Sequence, residues 1–235
     1  MIKKTIVALD QMSKDEINNL MPTLKPFEIF KLGLEVFNAY GKDLVHDFST
    51  QYQKKIFLDL KLHDIPKTVE RAIASLHGLD IQYLTIHLSG GENMIQSAMN
   101  ARDRFLPSTK ILGVSYLTSL GKNDFKEIYN LEAEQIEEQF FRIFRLAAKC
   151  QLDGLISSAH EISIIKKVES LTNHQFLKVT PAIRMPGFSQ MHDQQRVMTP
   201  RDAFSQGSDL IVMGRSITQS QDIGSVIDYL SKNIS

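Results

Sequence analysis

The segment FLDLKLHDIPKTV (57–69) carries charged residues at the end of an apolar run that is typical of a buried strand. Asp59, Lys61 and Asp64 lie within six positions of one another. Because burying an ion is costly unless the ion is paired, the cluster indicates either a solvated strand end or a site that uses its charges. The place of this strand in the fold distinguishes the two interpretations.

Composition limits the classes of protein that the chain can belong to. The 235 residues are 43% apolar, which is enough for a sizeable core, and we expect residues 1–235 to form a single domain. Lys and Arg equal Asp and Glu at 27 each, so no bulk charge favours nucleic acid or an anionic membrane as a partner. The single Cys150 suits a reducing compartment, and the N-terminal apolar run stops at Asp10, which is typical of a first strand and not of a signal peptide. We expect a cytoplasmic protein.

Short β-branched apolar runs alternate with segments of helical period along the chain. Between the first two runs, Ser13 and Glu16 have the spacing of a capping box at a helix start. Eight such units in this length predict one closed (β/α)₈ TIM barrel, and a doubly wound open sheet is the structural alternative. The predicted strands are 5–10, 28–33, 55–60, 83–88, 110–117, 154–158, 176–181 and 209–214.

Polar residues occur at or just after the C-terminal ends of these predicted strands. Active sites of (β/α)₈ barrels form at that end, although an ordinary solvated strand end is also polar. Their joint placement favours a site. In chain order they are Asp10, Lys31, Asp59, Lys61, His87, Ser89, Thr118, Ser119, Arg184 and Arg215, the last preceded by Gly214.

Lys61 has the surroundings of a general acid. Side chains two apart on a strand share a face, so Asp59 and Lys61 are expected to point the same way, with Asp64 in the turn before the helix that Pro66 begins. A lysine about 4 Å from a carboxylate gains roughly 4 kcal/mol per pair at an effective dielectric near 20, which keeps it protonated. Lys31 could extend the row. The alternative interpretation is a structural ion-pair network at the barrel rim.

The last third of the chain has the features of a phosphate site. Loops after strands seven and eight of a barrel commonly bind phosphate, and Gly214 and Arg215 precede a predicted helix there. Arg215 can hold a phosphate with its guanidinium fork, and Gln194 could fold over the anion. The 183–199 loop is long enough for a mobile lid. A Gly-Arg-Ser turn alone is common and would carry no such meaning.

The chain resembles the orotidine 5′-phosphate decarboxylase family in segments that cover nearly its whole length in order. The most specific is DLKLHDIPKT (59–68), and HLSGG (87–91), TPAIRMPG (180–187) and GSDLIVMGRSIT (207–218) also match. Two positions depart from the usual pattern: Lys67 stands where Asn is frequent, and Ala182 stands where Gly is frequent.

The resemblance implies an activity and a role for each candidate residue. The substrate would be orotidine 5′-monophosphate and the products UMP and carbon dioxide, without a metal or organic cofactor, in a homodimer with shared sites. Lys61 would protonate C6 of the pyrimidine, held by Asp59 and by Asp64 of the partner subunit. The residues implied in substrate binding are Lys31, Asp10 and the partner subunit's Thr68 at the ribose, Thr118 at the base, Arg215, Gln194 and Gly214 at the phosphate, and Arg184 in lid closure.

Two other functions remain open on the sequence. Sister barrel enzymes, such as 3-keto-L-gulonate 6-phosphate decarboxylases, resemble this scaffold but use magnesium held by acidic residues, one of them on strand two. This chain has Lys31 there, and Glu35 lies beyond the strand. A non-catalytic nucleotide-binding protein would have no need of Lys61. His87 has no second ligand at metal-binding spacing, which favours a hydrogen-bonded histidine.

Overall fold

The structure is a computed structural model that describes residues 1–186 and 198–232. Its eight parallel strands pair in chain order, and the last pairs with the first, so the sheet closes into a barrel. This closure confirms the predicted (β/α)₈ barrel and excludes the open sheet. The strands are β1 Thr5–Ala8, β2 Ile29–Gly33, β3 Lys55–Leu62, β4 Tyr83–His87, β5 Lys110–Val114, β6 Gly154–Ile156, β7 Leu177–Thr180 and β8 Leu210–Met213.

Helices connect the strands and surround the barrel. The predicted capping box is present at the first helix, where the Glu16 N–H donates to the Ser13 hydroxyl and the Ser13 N–H to the Glu16 carboxylate. None of the helices in the described part of the chain is long and apolar enough to cross a membrane. The α-helices are α1 Lys14–Leu20, α2 Leu34–Thr50, α3 Pro66–Ser75, α4 Gly91–Phe105, α5 Lys122–Tyr129, α6 Ile136–Lys149, α7 Ile162–Thr172, α8 Pro200–Gln206, α9 Arg215–Thr218 and α10 Ile223–Lys232.

Two apolar cores follow from the two faces of the parallel strands. Outward-facing residues pack with the helices in the larger core. Inward-facing residues such as Phe57 and Tyr83 fill the barrel in the smaller core. Because side chains on one face recur every second residue, the next inward positions on β3 and β4 are Asp59 and Thr85. The barrel is therefore apolar at its centre and becomes polar toward the C-terminal ends of the strands.

Several strands end earlier than predicted. β1 ends at Ala8 instead of Asp10, β5 at Val114 instead of residue 117, and β6 at Ile156 instead of residue 158. Past these points the chain turns toward the next helix, although the Leu9 N–H still donates to the Lys31 carbonyl and the Ser157 N–H to the Val179 carbonyl. Candidate residues such as Asp10 consequently lie on loops at the barrel rim.

Candidate active site

A cavity of about 530 Å³ opens at the C-terminal ends of the barrel strands. Most of the candidate residues line it, and they come from segments that are far apart in the sequence. Asp64 and Thr68 do not line it in this single chain, and Gln194 lies outside the described residues. The candidate residues that line the cavity are Asp10, Lys31, Asp59, Lys61, Thr118, Ser119, Arg184, Gly214 and Arg215.

Four ions of alternating charge form a row along one side of the cavity. Lys31 Nζ lies 2.7 Å from Asp10 Oδ2 and 3.6 Å from Asp59 Oδ2. Lys61 Nζ lies 2.8 Å from the same Asp59 oxygen. The side chains of Lys31 and Asp59 are each only 11% exposed, so their charges are weakly screened by solvent. Within one chain the row therefore runs Asp10, Lys31, Asp59, Lys61.

The ends of β1 and β2 bring Asp10 and Lys31 together. The Leu9 N–H donates to the Lys31 carbonyl at 3.1 Å, which continues the pairing of the two strands up to the rim. At Gly33 a β-carbon would lie 2.5 Å from Asp10 Oδ1 and 3.2 Å from Lys31 Nζ. A side chain at this position would separate the ion pair. This steric limit explains why position 33 is glycine, which the sequence pattern did not reveal.

Opposing effects set the protonation of Asp59. Burial favours the neutral acid and would raise its pKa. The charges of Lys31 and Lys61, with hydrogen bonds from Lys61 and Thr85, outweigh burial and lower the pKa of Asp59 below its ordinary value. Asp59 is therefore a carboxylate at neutral pH, as the alternating row requires.

The backbone between Asp59 and Lys61 is not a regular strand. The β3–β4 register shifts between Leu58 and Leu62, and Lys61 has a left-handed φ of 47°. The two side chains meet, as predicted, but through a bulge and not through simple strand alternation. Bulges of this kind redirect side chains and are common beside active sites.

Thr85 is a site residue that the sequence analysis missed. Its hydroxyl accepts a hydrogen bond from the Lys61 N–H at 2.8 Å and donates one to Asp59 Oδ1 at 2.9 Å. The pattern that could have revealed it is a polar residue between Leu84 and Ile86 in a buried strand, where a hydroxyl needs a partner.

Asp64 and Thr68 lie on the outer side of the rim. Asp64 is exposed in the turn between β3 and α3, where its Oδ1 accepts a hydrogen bond from the Ile65 N–H at 2.7 Å. Ile65 is 67% exposed, and Thr68, in the first turn of α3, is also exposed. Both polar groups are accessible from outside the chain beside an apolar side chain.

His87 stacks on His63 at the ends of β4 and β3, with ring centroids 5.1 Å apart. Burial lowers the pKa of His87, and the neighbouring His63 and Lys61 lower it further, so the ring is neutral at neutral pH. Nowhere in residues 1–186 and 198–232 do three or more His, Cys, Asp or Glu residues gather as they would around a metal ion. Independence from metals stays a prediction.

The loops after β7 and β8 form another part of the cavity wall. Gly214 lies between the end of β8 and Arg215, the first residue of α9. Both residues line the cavity. The Arg184 N–H donates to the Met198 carbonyl at 3.1 Å, which joins the two described ends of the long loop. The rest of the predicted lid lies outside the described residues.

Ala182 has a left-handed backbone, with φ at 61°, which gives a physical reason for glycine being frequent at this position of the family pattern. We expect Ala182→Gly to raise the free energy of unfolding by about 0.5–1 kcal/mol, because relief of the strain exceeds the entropy that glycine adds to the unfolded chain. Ala133→Gly, in a 3-10 turn with ordinary φ, should instead lower it. Chemical denaturation measures both, and two changes of the same sign would contradict the explanation.

The fold and the site together define a class: closed (β/α)₈ barrels with a charged site at the C-terminal strand ends. Residues 3–228 match the model of the "Orotidine 5'-phosphate decarboxylase / HUMPS family", and the chain belongs to this family. This membership confirms the resemblance that the sequence motifs carry.

Individual relatives agree with the family match. The chain is 37% identical over 222 residues to orotidine 5'-phosphate decarboxylase of Streptococcus sanguinis, covering 94% of this chain and 93% of the relative. It is 38% identical over 216 residues to the Staphylococcus epidermidis protein of the same name, covering 92% and 91%. The crystal structure of orotidine 5'-phosphate decarboxylase from Lactobacillus acidophilus is similar with a TM-score of 0.81 and 33% identity, covering 98% of each chain.

Proposed function

We propose that this protein catalyses the decarboxylation of orotidine 5′-monophosphate to UMP and carbon dioxide, in de novo pyrimidine biosynthesis. The observation that carries the proposal is the row Asp10, Lys31, Asp59, Lys61 along a cavity of nucleotide size. Relatives that match more than nine-tenths of the chain are named for this reaction.

Lys61 is the proton donor in the proposed reaction. When the bond between C6 and the carboxylate breaks, carbon dioxide leaves and the electron pair stays on C6. The Lys61 ammonium stabilises this developing charge and then transfers a proton to C6. Asp59, 2.8 Å from Lys61 Nζ, orients the ammonium and keeps it charged, and the amine regains a proton from solvent.

The other cavity residues bind the substrate. Lys31 and Asp10 hold the ribose at one side of the cavity. Arg215 and the Gly214 backbone bind the phosphate at the part of the wall that the loops after β7 and β8 form, and Arg184 and Gln194 close over it. Either Thr118 or Ser119, which both line the cavity, contacts the base. Binding the remote phosphate supplies energy that aligns the pyrimidine with Lys61.

The working unit is a homodimer in which Asp64 and Thr68 enter the site of the other chain. Support comes from their position: both are exposed at the rim, next to the 67% exposed Ile65, and neither reaches the cavity of its own chain. In a twofold dimer the exchange is reciprocal, so each site receives both residues. The predicted cytoplasmic location stays a prediction.

A magnesium-dependent sister reaction is the main alternative, and the charged row disfavours it. The Lys31 ammonium lies between the carboxylates of Asp10 and Asp59, where it would repel a divalent cation. Glu35 is on α2, and its carboxylate accepts a hydrogen bond from the Gln11 N–H at 3.3 Å. A non-catalytic nucleotide-binding role does not explain why Lys61 pairs with the buried Asp59 beside the cavity.

The direct test is decarboxylase activity of purified protein treated with a chelator. We expect loss of orotidine 5′-monophosphate absorbance with one UMP formed per substrate consumed, unchanged when magnesium is added. A parallel assay supplies 3-keto-L-gulonate 6-phosphate with magnesium. Turnover only in this second assay, or activity that requires magnesium, would reject the proposal.

Arg215→Ala should raise KM by about 10- to 100-fold, because a charge-assisted contact to phosphate is lost. Added guanidinium should restore part of the loss, since it can occupy the vacated space. Arg142→Ala, which removes an exposed arginine paired with Glu138 on α6, is the matched control and should leave KM unchanged. An unchanged KM in Arg215→Ala would mean that residues other than Arg215 bind the phosphate.

A further inference from the structure

The Thr85 hydroxyl connects the backbone of one candidate catalytic residue to the side chain of another. Thr85 is fully buried on β4, opposite the bulge in β3. The Lys61 N–H donates to its oxygen, and the hydroxyl donates to Asp59 Oδ1. One side chain thus contacts both members of the Asp59–Lys61 pair.

These two hydrogen bonds determine the direction in which the Thr85 hydroxyl proton points. A backbone N–H can only donate, so the Thr85 oxygen must accept from Lys61. Its only proton is then directed to Asp59 Oδ1, which accepts it. The other Asp59 oxygen receives the Lys61 ammonium at 2.8 Å, so donors on two sides fix the carboxylate.

The bulge explains why a side chain is needed here. Where the β3–β4 register shifts, Lys61 has left-handed φ and its N–H bonds a hydroxyl instead of a strand carbonyl. Without the Thr85 hydroxyl, the Lys61 N–H would lack a partner, and the backbone would favour another conformation. The Lys61 side chain would then point in a different direction.

We propose that Thr85 is a positioning residue of the decarboxylation, which sets the bulge that aims Lys61 and the rotamer of the carboxylate that orients its ammonium. This inference rests on the proposed function. It differs from that function in assigning part of the rate to a residue that does not line the cavity.

Thr85→Val and Thr85→Ser test the inference in the full-length protein. Valine keeps the branched shape and loses the hydroxyl, so kcat should fall by about 10- to 100-fold with KM within about threefold of wild type. Serine keeps the hydroxyl and should recover most of kcat. Thr109→Val removes an equally buried hydroxyl, bonded to the Ile81 carbonyl at the opposite end of the barrel, and should leave kcat unchanged. Wild-type kcat in Thr85→Val, or equal losses in Thr85→Val and Thr85→Ser, would overturn the inference.

A measurement that needs no activity separates this inference from the proposed function. The ¹³C carboxyl resonance of Asp59, assigned with Asp59→Asn, reports its titration in the field of Lys31, Lys61 and His87. Loss of the Thr85 donor should move the midpoint to higher pH in Thr85→Val and not in Thr85→Ser. An unmoved midpoint rejects the positioning role even in an active enzyme. A wild-type protein that does not consume orotidine 5′-monophosphate rejects the function, whatever the titration shows.

Discussion

Lys61→Ala is expected to lower kcat by about 10⁴- to 10⁷-fold while leaving the barrel folded. The substitution removes two contributions at once: the proton that C6 receives, and the cation that stabilises charge as carbon dioxide leaves. The fold should survive because the Lys61 side chain is 32% exposed, and the buried Asp59 keeps Lys31 at 3.6 Å.

The matched control is Lys55→Ala on the same strand. Lys55 begins β3 at the opposite end of the barrel, where it pairs with Glu28 at 3.6 Å on the surface. Its loss should leave kcat unchanged, because an exposed ion pair contributes little and lies far from the cavity. Circular dichroism verifies folding of both variants. Retention of more than a few per cent of activity in Lys61→Ala would contradict the role of Lys61 as the proton donor.

Mixing Lys61→Ala with Asp64→Ala should restore activity that neither variant has alone. If Asp64 enters the partner's site, each mixed dimer holds one site with both defects and one intact site. Random exchange of equal amounts makes half of the dimers mixed, so about a quarter of the wild-type sites return. If Asp64 acts within its own chain, every site keeps one defect and no activity returns.

The control for this experiment is a mixture of Lys61→Ala with Asp59→Ala. Asp59 contacts Lys61 within one chain at 2.8 Å, so both residues belong to the same site and exchange cannot rebuild one. Native mass spectrometry establishes that subunits have exchanged. A first mixture that stays inactive despite exchange would exclude the shared site.

Local sequence pattern was sufficient for the fold and for much of the site. Eight apolar runs of strand length, separated by helical period, predicted the closed barrel, and Pro66 predicted the start of α3. Because the C-terminal ends of all barrel strands meet at one face, the polar residues that follow them were expected to converge. Asp10, Lys31, Asp59, Lys61 and Arg215 line one cavity in the structure.

Tertiary structure decided what depends on neighbouring strands. The bulge that gives Lys61 its left-handed backbone comes from the β3–β4 register, which no pattern within β3 specifies. Thr85 belongs to the site only because that register sets its hydroxyl against Lys61 and Asp59, and Gly33 matters only because Asp10 folds against it. Hydrophobic periodicity is a property of a chain segment and survives in the sequence, whereas hydrogen bonds and close contacts between segments exist only once the barrel has closed.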